Sequence, residues 1–232
     1  MGNLEAAKQT PRFSSRLYTA AEEWWVRSLN HPFVEELGAG TLDPGRFIFY
    51  LKQDYLYLLD YARMYAYGSI KASDPDRMAK FAELSYSILH VEMGLHRGYA
   101  AKFGISREEL DHTPPSPATT AYTGYMLQVA AQGTLAEIVA VILPCMWSYR
   151  EIGLKLAAGS AAMEHPLYRE WVEMYSSSEF GELTDWCIGL MDELAEGLPE
   201  QALLKLEEHF VMASKLEYLF WDKAYDREEW PV

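Results

Sequence analysis

Cys145 follows a proline in the middle of an apolar run, "EIVAVILPCMWSYREIG" from Glu137 to Gly153. Taken alone, a free cysteine in such a run is a small hydrophobe that fills core. Its company points further. Pro144 cannot donate a backbone N–H and is expected to kink or break the helix, which frees a carbonyl and opens room for a pocket beside the thiol. Tyr149 stands four residues on, on the same helical face. A thiol so placed is a candidate soft nucleophile. The second cysteine, Cys187 in "DWCIGL", lacks such neighbours and reads as core. The two cysteines are far apart with no CxxC spacing, so neither a zinc site nor a redox pair is indicated.

Carboxylates occur inside aromatic stripes. In "RFIFYLKQDYLYLLDYARMY", Tyr50, Asp54, Tyr57 and Tyr61 are separated by four, three and four residues, which places them on one face of a helix. Aspartate is a poor helix former and costly to desolvate. Its position among three tyrosines favours a buried, hydrogen-bonded role over a surface pair with Lys52 or Arg63. Near the C-terminus, Glu217 shares a face with Phe220 and Trp221, and Tyr168, Trp171 and Tyr175 form a further stripe. Each stripe by itself also suits plain core packing. No Lys, Arg or His is expected on these faces.

Other chemistries lack their motifs. The chain has no Walker A run, no G-x-G-x-x-G, no H-E-x-x-H and no G-x-S-x-G. A di-iron bundle needs paired Glu-x-x-His motifs, and the one such spacing, Glu109 to His112, runs into Pro114 and Pro115. In "HVEMGLH", His90 and His96 are six apart and point to different faces. Metal catalysis is therefore set aside.

The elements that must hold these residues are helices. Apolar residues recur every three or four positions almost throughout, and no segment alternates long enough for a strand. Turn signals cut the pattern at "NHP" (30–32), "GAGTLDPG" (38–45), "SDPD" (73–76), "TPPSPATT" (113–120), "EHP" (164–166) and "GLP" (197–199). Seven or eight helices are expected if Gly133-Thr134 and the Pro144 region count as breaks. The fold class is all-α, with one domain over residues 1–232 and a loosely ordered tail at 1–12.

Half of the 232 residues are hydrophobic, enough for a substantial core. The net charge of −14 argues against nucleic acid or an anionic membrane as partner, since both require a basic surface. The first residues lack an apolar signal core, and no apolar run reaches the ~18 residues of a membrane span. A cytoplasmic protein with reduced thiols is expected.

Five segments together resemble one family. "FYLKQDYLYL" around Asp54, "AYTGYM" around Tyr122, "LPCMWSY" around Cys145, "YREWVEMYSSSEF" around Tyr175 and "EYLFWDKAY" around Glu217 are similar to the TenA proteins, known as thiaminase II or aminopyrimidine aminohydrolase, in their cysteine-bearing subgroup. The resemblance runs in order over nearly the whole chain. It implies a heme-oxygenase-like helical bundle, a homotetramer, no metal or organic cofactor, and a small-molecule aminopyrimidine or thiamine as ligand. It further implies that Cys145 is the nucleophile, that Asp54 and Glu217 meet the pyrimidine, that Tyr122, Tyr149 and Tyr175 supply pocket hydroxyls, and that Tyr57 supports the site.

The residue types suit that chemistry. A flat aminopyrimidine is buried between aromatic walls while carboxylates accept from its amine and meet its ring nitrogens. A thiolate added to the ring breaks aromaticity and lets ring electrons expel the substituent on the C5 methylene; water then adds there and the thiolate departs. Glu217 is the expected proton shuttle and Asp54 the orienting group. With no cationic cluster in view, a phosphorylated pyrimidine is disfavoured, and the thiolate is left to tyrosine hydroxyls or a helix N-terminus. The expected reaction converts 4-amino-5-aminomethyl-2-methylpyrimidine to its hydroxymethyl form plus ammonia in thiamine salvage, with thiamine cleavage as a second use of the site. Alternatives are a non-catalytic pyrimidine or thiamine binder and a heme-oxygenase-like metal oxidase.

Overall fold

The structure, a computed structural model, describes residues 12–231. The expected N-terminal tail therefore lies, apart from its last residue, outside the described residues. Among them there are eleven α-helices and no strand. In chain order the helices are α1 (Phe13–Leu29), α2 (Pro32–Ala39), α3 (Pro44–Lys71), α4 (Pro75–Ser87), α5 (Met93–Lys102), α6 (Arg107–Asp111), α7 (Pro117–Gln132), α8 (Leu135–Ala157), α9 (Arg169–Tyr175), α10 (Ser178–Ala195) and α11 (Glu200–Asp226). A π-helical turn at Ile88–Glu92 joins α4 to α5, and a 3₁₀ turn at Ala161–Glu164 precedes α9.

The proline signals mark helix starts. Asp43, Asp74 and Ser116 cap α3, α4 and α7 by accepting a backbone N–H three residues on, each with proline at the first helical position. There the missing N–H costs nothing and φ is preset. Thr134 and Glu137 form a reciprocal capping box at α8. Eleven helices exceed the seven or eight expected, eight of them ten residues or longer and three short; the break at Gly133-Thr134 is present, and the one at Pro144 is not. Pro144 does not end or split its helix: α8 runs unbroken for 23 residues through it. An interior proline costs about 3 kcal/mol, and here the surrounding packing carries that cost. Residues 138–143 are buried all round, and α8 packs against α3, α7, α9, α10 and α11. A helix apolar on every side is a core helix.

The core falls into two clusters. One lies between α1, α4, α7, α10, the middle of α3 and the first halves of α8 and α11; the other lies between α2, α9, the start of α3 and the second halves of α8 and α11. Cys145 and Phe180 pack against both. The thiol thus sits at the seam of the bundle, where two packing systems leave space between them. Gly153 lets α9 reach that seam, because a Cβ there would lie 2.6 Å from the Tyr175 carbonyl carbon.

Candidate active site

A cavity of about 220 Å³ opens at the seam. Its walls include Asp54, Tyr57 and Tyr61 from α3, Glu92 from the π turn, Cys145 and Tyr149 from α8, and Tyr175 from α9. Five of the seven residues singled out in the sequence therefore meet around one space. The other two, Tyr122 and Glu217, are not part of its wall. They lie next to it, buried and bonded to each other, with Tyr122 OH donating to Glu217 Oε2 at 2.9 Å. The Tyr122 ring leans on Tyr57 with centroids 5.0 Å apart.

Asp54 is fully engaged on one side. Its Oδ2 accepts from Tyr50 OH at 3.1 Å and meets His96 Nε2 at 2.6 Å. Tyr50 in turn accepts from Trp171 Nε1 at 3.1 Å and lies 3.2 Å from Tyr149 OH. Because the Tyr50 hydrogen is given to Asp54, Tyr149 is the donor in the last pair. Lys52 and Arg63 pair elsewhere, with Glu109 and Asp60, so the surface pairing for Asp54 is excluded.

His96 corrects the sequence reading, which placed no basic residue at the pocket. It is buried on α5, and its Nδ1 lies 3.0 Å from the Glu92 carbonyl, which can only accept. Nδ1 thus carries a proton. Burial alone would lower the His96 pKa, but the hydrogen bond and charge of Asp54 outweigh it and the net displacement is upward. His90, its apparent partner in sequence, is exposed and stacks on Tyr86. The signal that was available is Glu92 to His96, four apart and on one face. Among the described residues no three metal-ligating side chains converge.

The remaining acids have few donors. Burial, followed by the charge of Asp54, pushes Glu92 up to about 7, although His96 and the Tyr175 hydroxyl act the other way. Tyr175 OH donates to Glu92 Oε1 at 2.8 Å. Glu217 is pushed up to about 8 by burial, against the hydrogen bond from Tyr122 and with the charge of Asp54 adding to the rise. The Cys145 thiol is raised well above its ordinary value by burial first and the Glu217 charge second, with the Tyr57 hydroxyl opposing. At neutral pH the resting group is a thiol and Glu217 is mainly a neutral acid. Cys187, by contrast, is enclosed in hydrocarbon, and burial alone raises it to about 12.

Chemically, the arrangement offers a cavity with tyrosine walls, a carboxylate whose Oδ2 is bonded twice, a thiol and a second acid in the wall, and a further acid next to it, the last two holding protons near neutrality. Known proteins match over the same length. The model of the TENA/THI-4/PQQC family matches residues 18–227. An aminopyrimidine aminohydrolase of Halalkalibacterium halodurans is 48% identical, with 94% of this chain and 97% of that protein covered. A TenA homologue from P. horikoshii superimposes with a TM-score of 0.85 at 30% identity, covering 93% of this chain and 99% of that one. A domain with a heme oxygenase-like fold from Shewanella denitrificans gives 0.73 at 15% identity over 92% of each chain, a likeness of fold alone.

Proposed function

The chain belongs to the TENA/THI-4/PQQC family, and from that premise we propose that it is an aminopyrimidine aminohydrolase of thiamine salvage, a hydrolase that uses Cys145 as nucleophile. The observation that carries the catalytic reading is that Cys145 and Asp54 open into the same tyrosine-walled cavity. A pure binder has no need of a thiol beside the ring.

In this reading the pyrimidine lies between the tyrosines, and the Asp54 oxygen left free by Tyr50 and His96 accepts from the exocyclic amine. Glu217, held as the neutral acid, gives its proton to a ring nitrogen and takes that of the thiol as the S–C bond forms. The dihydro ring then expels the C5 substituent by breaking the C–N bond, and loss of the ring N–H proton leaves an exocyclic methylene. Water adds to that methylene, the S–C bond breaks and the ring regains aromaticity. One water is consumed and one ammonia released. Tyr57 tempers the thiol, Tyr122 holds Glu217, and Tyr149 and Tyr175 hold the hydroxyl network.

The same reading includes a homotetramer in the cytoplasm, for which the mass in solution is the check. Among the described residues, no helix is long and apolar enough to cross a membrane. The test of the chemistry is ammonia release from 4-amino-5-aminomethyl-2-methylpyrimidine. Wild type is expected to release it and Cys145→Ala to lose the activity. A Cys145→Ala protein with full turnover removes the nucleophile, and a wild type that binds without turnover leaves a binding protein.

A further inference from the structure

Glu92 has no part in the chemistry above, yet it is set into the cavity wall by the π-helical turn Ile88–Glu92. Such turns are rare and cluster at functional sites. One carboxylate oxygen is held by Tyr175 OH at 2.8 Å; the other has no hydrogen-bond partner among the described residues. No Lys, Arg or His lies within ion-pair distance of it there. The other two acids differ. Asp54 has His96 Nε2 at 2.6 Å from its Oδ2, and Glu217 lies outside the wall with Tyr122 on one oxygen. Glu179 also lines the cavity without an ion-pair partner among the described residues, but it is exposed and accepts from Ser178 Oγ, so Glu92 is the half-buried acid of the cavity that lacks a counter-charge.

The two substrates open to this site share one property. An aliphatic amine on the C5 methylene is an ammonium at neutral pH, and the thiazolium of thiamine carries a fixed positive charge. We propose that Glu92 is the specificity-determining residue for that substituent: its unbonded oxygen receives a cationic leaving group and discriminates against the neutral hydroxymethyl product. The assignment rests on reading the cavity as an aminopyrimidine site.

The chemistry gains twice from this contact. A carboxylate next to the amine keeps it protonated, so that when the C–N bond breaks the electron pair stays on nitrogen and ammonia departs as a neutral molecule, with no further proton to supply. A thiazolium likewise leaves as a neutral thiazole. The substrate also brings to the cavity the positive charge that Cys145 otherwise lacks, favouring the thiolate as substrate binds. After hydrolysis the cation is gone, and with it the hold on Glu92, so product leaves more readily than substrate.

The test is calorimetric binding to the Cys145→Ala protein, which holds ligand without turning it over. The aminomethyl pyrimidine is expected to bind at least ~10-fold more tightly than the hydroxymethyl form, the size of one charge-assisted hydrogen bond. Adding Glu92→Gln is expected to erase that gap by weakening the aminomethyl ligand and thiamine, while the hydroxymethyl affinity changes less than about threefold and so reports an intact fold. Equal weakening of all three ligands assigns Glu92 a structural role and overturns the proposal. So does equal affinity for the cationic and neutral ligands before Glu92 is changed, a comparison that needs no second variant. If no pyrimidine binds at all, the aminopyrimidine reading itself fails and the proposal falls with it.

Discussion

The cavity has two kinds of polar wall, and they are built on opposite terms. Around Asp54 every neighbour donates: Tyr50 and His96 bond its Oδ2, and Tyr149 and Trp171 bond Tyr50 behind it. Around Cys145 donors are scarce, so burial drives the thiol, Glu217 and Glu92 toward their neutral forms. A carboxylate oxygen bonded twice, with its donors themselves held, keeps its place, as an orienting group must. An under-bonded acid or thiol exchanges a proton or takes up a charge at small cost, as a reacting group must.

The largest way to break this contrast is at the thiol. Cys145→Ala is expected to lower ammonia release by on the order of 10³-fold or more, whereas Cys187→Ala, in the hydrocarbon core, retains turnover in the folded protein. Comparable losses in both variants would remove the distinction between the two cysteines.

Next come the acids. Glu217→Gln should lower kcat by ~10²-fold or more, the scale of general acid–base catalysis, with pyrimidine affinity nearly unchanged. Asp54→Asn should act on affinity, weakening pyrimidine binding by about 10-fold or more and leaving His96 without its buried partner. A kcat loss in Asp54→Asn with intact binding, and the reverse in Glu217→Gln, would exchange the two roles. His96→Asn is expected to follow Asp54→Asn in direction with a smaller effect, on the order of 10-fold, read as a rise in KM.

A pH profile sharpens the comparison further. Thiamine suits it, because its charge does not titrate. Glu92 binds a cation when ionised, so kcat/KM should rise as pH climbs through about 7. Glu217 acts when protonated, so kcat/KM should fall as pH climbs through about 8. Glu92→Gln should erase the rising limb only. A profile flat from about pH 6 to about pH 9 would contradict both assignments.

The smallest expected effect is on stability. Both acids have folded-state values above the ordinary one, so the fold is least burdened by them below the usual carboxylate range and loses stability as pH rises through about 7 and 8. The Tm of Glu217→Gln relative to wild type should therefore increase from about pH 5 to about pH 9, by on the order of 5 °C. A difference independent of pH would show that Glu217 ionises freely.

Much of this was legible in the chain. Periodicity made it helical, X-Pro signals after Asp43, Asp74 and Ser116 placed three helix starts, and the four-three-four spacing put Asp54 beside Tyr50. All these rest on contacts within one helix or one turn, where geometry follows from residue number. Pro144 misled because a local rule gave way to packing on all sides of α8. His96 and Glu92 were missed for the converse reason. Their partners lie far off in sequence: Asp54, 42 residues from His96, and Tyr175, 83 residues from Glu92. A helix fixes which face a side chain takes about its own axis, but the rotation of one helix against another is fixed only when their surfaces interlock. The sequence by itself determined the helices and the tyrosine-lined faces. Only the tertiary structure decided which acid meets the imidazole and which is left without a counter-charge, because both depend on burial and on partners brought from other helices.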